Sequence, residues 1–107
     1  MLAGFEVTHA DQAPREQVAE GIAITMLQEG AKDELAAMLV EFAAGAVFGE
    51  EIHEQQEILF VLEGRFHDGE HEHPAGTLII AKAGSIHWPQ STTGCRVLVV
   101  YPNGMGK

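Results

Sequence analysis

Residues 45–64 of this chain read GAVFGEEIHEQQEILFVLEG, and this segment is the most informative about the fold. Its second half contains ILFVL at 58–62, which is rich in strand-forming residues and too short for an ordinary helix. Glu51, His53 and Glu57 precede this run and follow glycines that favour turns. The stretch therefore predicts an extended chain in which ionisable side chains lead into an apolar strand.

Similar apolar runs lie on both sides of this stretch. TLIIA at 77–81 and VLVVY at 97–101 are rich in β-branched residues, and 22–27 is a weaker strand candidate because its alternation is imperfect. Segment 33–44, DELAAMLVEFAA, fits both a helical stripe and a strand. We predict a strand there, because a lone helix fits badly among many short strands. With glycines dividing the chain throughout, the prediction is an all-β fold.

The composition limits the number of domains and the classes of partner. With 107 residues and 46% hydrophobic content, residues 1–107 are expected to form one domain with its own core. Sixteen acidic residues against six dispersed basic ones give a net charge of −10, which disfavours nucleic acid and anionic membranes as partners. No run approaches the roughly 20 apolar residues of a membrane span, and the first residues lack a signal-peptide pattern. A cytoplasmic location is expected.

Cys95 is the only cysteine, so the chain can form no internal disulfide and no thiolate zinc cluster. It directly precedes the apolar run at 97–101, where small buried cysteines are common. We therefore interpret Cys95 as a core residue and not as a nucleophile.

Four ionisable side chains are candidates for a metal site. Glu51 and His53 are two residues apart, so in a strand both leave the same face, with Cα atoms about 6.6 Å apart. Glu57 follows four residues later and keeps that face if the strand is continuous. His87 lies in another segment and must come across the barrel. One ion is within reach of all four if the strands are arranged in this way.

The spacing of these residues resembles a two-part cupin pattern. The pattern reads Gly45-x5-Glu51-x-His53-x3-Glu57-x6-Gly64, followed by Gly76-x5-Lys82-x-Gly84-x2-His87-x3-Ser91. Over residues 34–103 the chain is most similar to the ChrR-like cupins, which include the C-terminal domain of ChrR-type anti-sigma factors and small acetylacetone-dioxygenase-like proteins. The resemblance implies a single cupin jelly-roll β-barrel, or double-stranded β-helix. It also implies one divalent metal ion, iron, zinc, manganese or nickel, inside the barrel.

The chain departs from the family pattern at three positions. Glu51 stands where the first histidine is usual, Lys82 replaces a proline, and Ser91 stands where asparagine is common. Only the first departure, at Glu51, changes a position that binds the metal in the family pattern. A carboxylate binds the same borderline divalent ions as imidazole, so the resemblance still implies a four-ligand site.

The exchange at Glu51 changes the charge of the implied site. Two histidines and two glutamates bring a divalent site to formal charge zero, compared with +1 for three histidines and one glutamate. The neutral site should attract an enolate less strongly. If Glu51 instead turns to solvent, His53, Glu57 and His87 form a two-histidine, one-carboxylate set with open positions, which is the ligand type of many non-haem iron oxygenases.

A second group of histidines, His67, His71 and His73, lies in a polar segment around an Asp-Gly pair, and we predict an exposed hairpin loop there and not a second metal site. If Glu57 points inward, Leu59 and Val61 also point inward and give the site an apolar wall for a small organic ligand. For Trp88 the sequence leaves open a place at the pocket mouth on one side, and ordinary packing or an oligomer contact on the other.

Two functions remain open at the level of sequence. One is a metal-dependent dioxygenase acting on a small diketone- or enolate-like substrate, and the other is a non-catalytic sensor that binds metal and ligand. A barrel whose metal is only structural is a plainer possibility. An anti-sigma role for the chain itself is not expected, because its first 30 or so residues hold no zinc-binding His/Cys set. We also expect a homodimer, in which segment 1–33 packs on the barrel or the partner and 22–27 covers a partner's sheet edge.

Overall fold

The structure is a computed structural model that describes residues 2–106. These residues form one 3₁₀ turn and eleven β-strands, and no α-helix is found among them. The turn is Ala10–Gln12, and the strands are β1 Arg15–Ala19, β2 Ile22–Gln28, β3 Ala36–Phe42, β4 Ala46–Val47, β5 Glu51–Ile52, β6 Glu57–His67, β7 Glu72–Pro74, β8 Leu78–Ala81, β9 Ile86–His87, β10 Gln90–Ser91 and β11 Cys95–Tyr101. The predicted all-β class is confirmed. In the part described, no helix is long and apolar enough to cross a membrane.

The ambiguous segment 33–44 forms strand β3, as predicted. Its alanines and leucines favour a helix locally, but β3 has antiparallel neighbours on both sides, β2 and β11. Pairing on both sides satisfies the backbone groups along the segment and buries Met38 and Phe42 in the core. Tertiary pairing therefore overrides the local preference.

Strand β6 is the centre of the sheet topology. The long antiparallel sheet has the order β1-β2-β3-β11-β6-β10-β4, and β7 and β8 also pair with β6. The first part of β6 lies between β11 and β8, and its last part pairs with β7 and β10. A register shift between Arg96 and Val97 bends the sheet at this point. A second, two-stranded sheet consists of β5 and β9.

The interior of the curled sheet is apolar because alternate residues of its strands point inward. The core cluster contains Ile22, Met38, Phe42, Ala46, Leu59, Val61, Phe66, Cys95, Val97 and Val99. The register places Val97 opposite both Val40 and Val61, so the inward faces of three neighbouring strands meet in one layer. On the outward face of β6 and β8, Phe60 and Leu78 lie side by side and are exposed.

The predicted role of segment 22–27 at a sheet edge is wrong. These residues form β2, which pairs with β1 on one side and β3 on the other, so its backbone groups are already engaged within its own chain. The edge strand is instead β1, the polar and exposed segment REQVA, which folds back on β2 at Gly21 with φ +73°. Apolar patterning cannot find such a strand, because neither face of it is deeply buried.

Candidate metal centre

The β5–β9 ladder brings the two halves of the sequence pattern together. It places Glu51 opposite His87. Two further backbone hydrogen bonds continue the pairing, from the His53 N–H to the Ser85 carbonyl at 2.9 Å and from the Gly84 N–H to the His53 carbonyl at 2.6 Å. The Gly84 turn, with φ +89°, thus sets the position of His87 relative to His53.

The four candidate side chains converge on one point. Nε2 of His53 lies 3.4 Å from Oε1 of Glu51 and 3.4 Å from Oε1 of Glu57, and Nε2 of His87 lies 2.9 Å from Oε1 of Glu51. One ligand atom from each residue lies within 4.8 Å of every other. Donors about 2.1 Å from a tetrahedral ion are about 3.4 Å apart, which matches the two separations from Nε2 of His53 to the carboxylates.

Two of the converging atoms are buried without a hydrogen-bond partner. Among the described residues, Nε2 of His53 and Oε1 of Glu57 have none, although their side chains are only 2% and 4% exposed. An unsatisfied buried acceptor costs about 1–3 kcal/mol, and a charged one costs more. A cation between the two atoms removes this cost, so the residues present fit a metal ion. His87 and Glu51 are more open, with side chains 12% and 30% exposed.

Burial also shifts the acidity of both unpartnered groups. The pKa of Glu57 is raised to about 7, mainly by burial and further by the neighbouring Glu51 carboxylate, and the hydrogen bond from Tyr101 opposes the shift. Burial and then the proximity of His87 lower the pKa of His53. The neutral imidazole of His53 is the form that binds metal, and a bound cation would restore the charged form of Glu57.

Tyr101 is a residue of the site that the sequence pattern missed. Its hydroxyl donates a hydrogen bond to Oε2 of Glu57, and burial followed by the charge of Glu57 raises the pKa of the phenol. Tyr101 ends strand β11, so the alternation that points Val97 and Val99 inward also points Tyr101 inward. That alternation was the available signal.

An apolar cavity of about 220 Å³ adjoins the convergent group. Glu51, Glu57, His87 and Tyr101 supply its polar groups. Its apolar lining consists of Val18, Ile22, Ile24, Met38, Val40, Phe42, Phe48, Leu59, Phe66, Pro89, Val97, Val99 and Met105. Leu59 lines the cavity as expected, whereas Val61 is fully buried in the core beyond it. The polar groups of the cavity therefore lie together, and the rest of its lining is apolar.

Trp88 does not line this cavity and packs on the outside. Its ring lies against Gly69, where an added Cβ would come within 2.9 Å of the indole, and its backbone N–H donates to the Asp68 carbonyl. Its neighbours His87 and Pro89, in contrast, line the cavity. The structure therefore disfavours a place at the pocket mouth for Trp88 and is compatible with packing or an oligomer contact.

The second group of histidines forms part of a turn network. Nε2 of His73 lies 2.7 Å from Oδ2 of Asp68, and Nδ1 of His67 accepts a hydrogen bond from the Gly69 N–H. Burial of Asp68 is outweighed by hydrogen bonds from the His71 and Glu70 N–H groups and from His73, so its pKa is lowered to about 2. Within residues 2–106, the one cluster with metal-ligand geometry is the four-residue group described above.

Cys95 is buried, and burial raises the pKa of its thiol. A protonated thiol inside the core is a poor nucleophile. This agrees with the interpretation of Cys95 as a core residue.

The fold is that of solved cupin structures. Similar structures include SigE in complex with the anti-sigma ChrR from Rhodobacter sphaeroides (23% identity, 87% of this chain and 50% of that chain, TM-score 0.74) and an RmlC-like cupin from Shewanella frigidimarina NCIMB 400 (24%, 92% and 90%, 0.79). An acetylacetone dioxygenase from Acinetobacter johnsonii is also similar (15%, 94% and 75%, 0.78). At these identities the likeness shows the fold alone, and it confirms the single cupin jelly roll. This chain spans half the length of the chain that it matches in the SigE–ChrR complex.

Comparison with curated proteins gives no match. The family model described as the ChrR Cupin-like domain matches residues 4–103, and so extends N-terminal to the region 34–103 that carries the sequence resemblance. Since the match covers nearly the whole chain, the chain belongs to the ChrR Cupin-like domain family.

Proposed function

We propose that this protein, acting as a single domain, binds one divalent metal ion through Glu51, His53, Glu57 and His87. The observation that carries the proposal is the pair of buried, unpartnered atoms, Nε2 of His53 and Oε1 of Glu57, inside a convergent group of four donors. A nitrogen and oxygen ligand set without thiolate suits iron, zinc, manganese or nickel.

We also propose that the apolar cavity holds a small organic ligand beside the ion. Its volume of about 220 Å³ is below the roughly 300–1,000 Å³ of pockets for drug-sized molecules, so it suits a compact ligand. The lining is apolar except at the end where Glu51, Glu57, His87 and Tyr101 lie. A ligand with an apolar body and a chelating enolate or diketone group matches this division.

The function that we favour is a dioxygenase-like activity on such a ligand. A bound ion would supply Lewis acidity and open coordination positions. The chain would contribute the ligands that hold the ion and an apolar wall that excludes water from the organic substrate. The shared fold with an acetylacetone dioxygenase supports this choice, although a fold alone does not define an activity.

The alternative is a sensor that binds metal and ligand without turnover. Membership of the ChrR Cupin-like domain family supports it. Oxygen uptake distinguishes the two functions. Protein purified without a histidine tag and loaded with the metal that it retains should consume oxygen with a diketone if it is an oxygenase. Tightly bound zinc and no uptake with any diketone would favour the sensor.

The ligand assignment is tested by metal content. His53→Ala and His87→Ala should each reduce the bound metal at least tenfold, because each removes a nitrogen donor that no neighbour replaces. The matched control replaces His71 and His73 with alanine together, and its metal content should equal that of the wild type. Full metal content in either ligand variant, or loss in the control, would show that the ion binds elsewhere.

We further propose that the protein forms a homodimer through the outer face of its long sheet. Four apolar side chains of β6 and β8 there are between 37% and 58% exposed, namely Phe60, Leu62, Leu78 and Ile80. Strand register joins them into one patch, because Phe60 lies opposite Leu78. A contiguous apolar patch of this kind is typical of an interaction surface. In a dimer with two-fold symmetry, this patch would pack against the same patch of the second chain.

A further inference from the structure

Strand register brings the hydroxyl of Tyr101 to the carboxylate of Glu57. Strand β11 pairs with β6 so that Val100 lies opposite Ile58. The next residue of β11, Tyr101, therefore comes beside Glu57, and both side chains line the cavity. The Tyr101 hydroxyl donates its hydrogen bond to Oε2 of Glu57.

This hydrogen bond makes the two oxygens of the carboxylate different. Oε2 is engaged by Tyr101, whereas Oε1 is buried, has no hydrogen-bond partner among the described residues and lies 3.4 Å from Nε2 of His53. Oε1 is thus the oxygen turned towards the other donors, and Oε2 is held on the opposite side by a neighbouring strand.

We propose that Tyr101 is a positioning residue that makes Glu57 a monodentate ligand through Oε1, an inference that rests on the metal centre proposed above. A carboxylate that is free to rotate can bind an ion with both oxygens, and chelation of this kind occupies a second coordination position. With Oε2 bound to the hydroxyl, that position stays open. Tyr101 therefore acts through Glu57 on the number of positions available to the organic ligand.

The variant Tyr101→Phe separates this role from packing, because it keeps the aromatic ring in the cavity wall and removes only the hydroxyl. Both proteins are loaded with Co²⁺, whose visible absorption weakens as its coordination number rises. Tyr101→Phe should retain Co²⁺ and absorb less strongly than the wild type, because Glu57 becomes bidentate. It should also bind acetylacetonate about tenfold more weakly, since one open position is lost.

The matched control is Val100→Thr, which alters the neighbouring residue of the same strand on the outward face. Its Co²⁺ spectrum and its acetylacetonate affinity should equal those of the wild type. A Tyr101→Phe spectrum and affinity equal to those of the wild type would overturn the inference and leave the metal centre intact. Failure of the wild type to bind Co²⁺ would overturn the proposed function as well.

A structure of the metal-loaded wild type tests the inference without any variant. Only Oε1 of Glu57 should lie within the roughly 2.0–2.2 Å expected of a ligand oxygen, with Oε2 still bound to the Tyr101 hydroxyl. Ligation by both oxygens would contradict the inference, even if Tyr101→Phe proved too unstable to purify.

Discussion

The stability of the metal-free protein should fall as the pH rises, and Glu57 should be responsible. Its side chain is 4% exposed, and its pKa is raised to about 7, mainly by burial, from an ordinary value of 4.5. Below pH 4.5 the carboxyl is protonated in both the folded and the unfolded chain, so the stabilisation is complete. Between pH 4.5 and about 7 only the unfolded chain ionises freely, and this progressively lowers the free energy of unfolding.

The size of the effect follows from the two pKa values. The difference between 4.5 and about 7 corresponds to about 3 kcal/mol of unfolding free energy across this pH range. The groups facing Glu57 are Tyr101 from β11, Glu51 from β5, His53 and, from β9, His87. His53 opposes the trend, because its lowered pKa adds stability as the pH rises towards 6.5.

Urea unfolding at pH 4.5 and pH 8 measures the effect in protein stripped of metal. Glu57→Gln is the matched variant, because its amide carbonyl can still accept the Tyr101 hydrogen bond and it does not titrate. Subtracting its pH dependence removes the part due to His53. The wild type should lose about 3 kcal/mol more than Glu57→Gln over this range, which lowers the midpoint by about 2 M urea at an m-value of about 1.5 kcal/mol/M.

Equal pH dependence of wild type and Glu57→Gln would refute the reasoning, since it would mean that Glu57 is ionised and solvated in the metal-free protein. Metal-loaded wild type provides an independent check. The ion competes with the proton at Glu57, so loaded protein should become more stable relative to metal-free protein as the pH rises.

Two predictions concern the charge of the site and the outer face. Glu51→His should preserve metal content and tighten acetylacetonate binding about tenfold, because the formal charge beside the anion rises by one. A titration against a neutral ligand of similar shape is the control, and equal enolate affinities would show that Glu51 is not a ligand. Sedimentation at micromolar concentration should give twice the mass of one chain. Leu78→Lys with Ile80→Lys should give monomers with unchanged metal content, whereas a monomeric wild type would contradict the dimer.

The apolar strands could be predicted because buried strands consist mainly of apolar residues, which are visible in the sequence. The runs at 58–62 and 97–101 lie within β6 and β11, and the run at 77–81 lies within β8 except for Thr77. Each has an interior face, so its hydrophobic side chains are required by the core. Strand spacing groups Glu51, His53 and Glu57, and His87 was added to them by the resemblance to the two-part cupin pattern.

The elements that were not predicted have no apolar run and no local spacing that identifies them. Strand β1, Arg15–Ala19, is mostly exposed and is held by backbone pairing to β2, which any sequence without proline can provide. Tyr101 escaped because its role depends on the β11–β6 register, and a pairing between segments 44 residues apart cannot be derived from local pattern. Strand β6 likewise continues to His67, beyond the apolar run, because β7 and β10 pair with its polar end.

Glu51, which stands where the family usually has a histidine, contacts His87 in the metal-free site. With its side chain 30% exposed, Glu51 lies at the open side of the group, and its Oε1 is 2.9 Å from Nε2 of His87. A carboxylate oxygen can only accept, so in this arrangement Nε2 of His87 is the donor, and an ion that binds to Nε2 must displace this hydrogen bond. A histidine at position 51 would carry no negative charge, so His87 would have no hydrogen bond to a carboxylate to lose when the ion binds. If the proposed ion binds here, Glu51 would hold His87 in place beforehand, compete with the incoming ion for Nε2 and lower the charge of the loaded site. A site with this lower charge should hold anionic ligands more weakly than a site with three histidines.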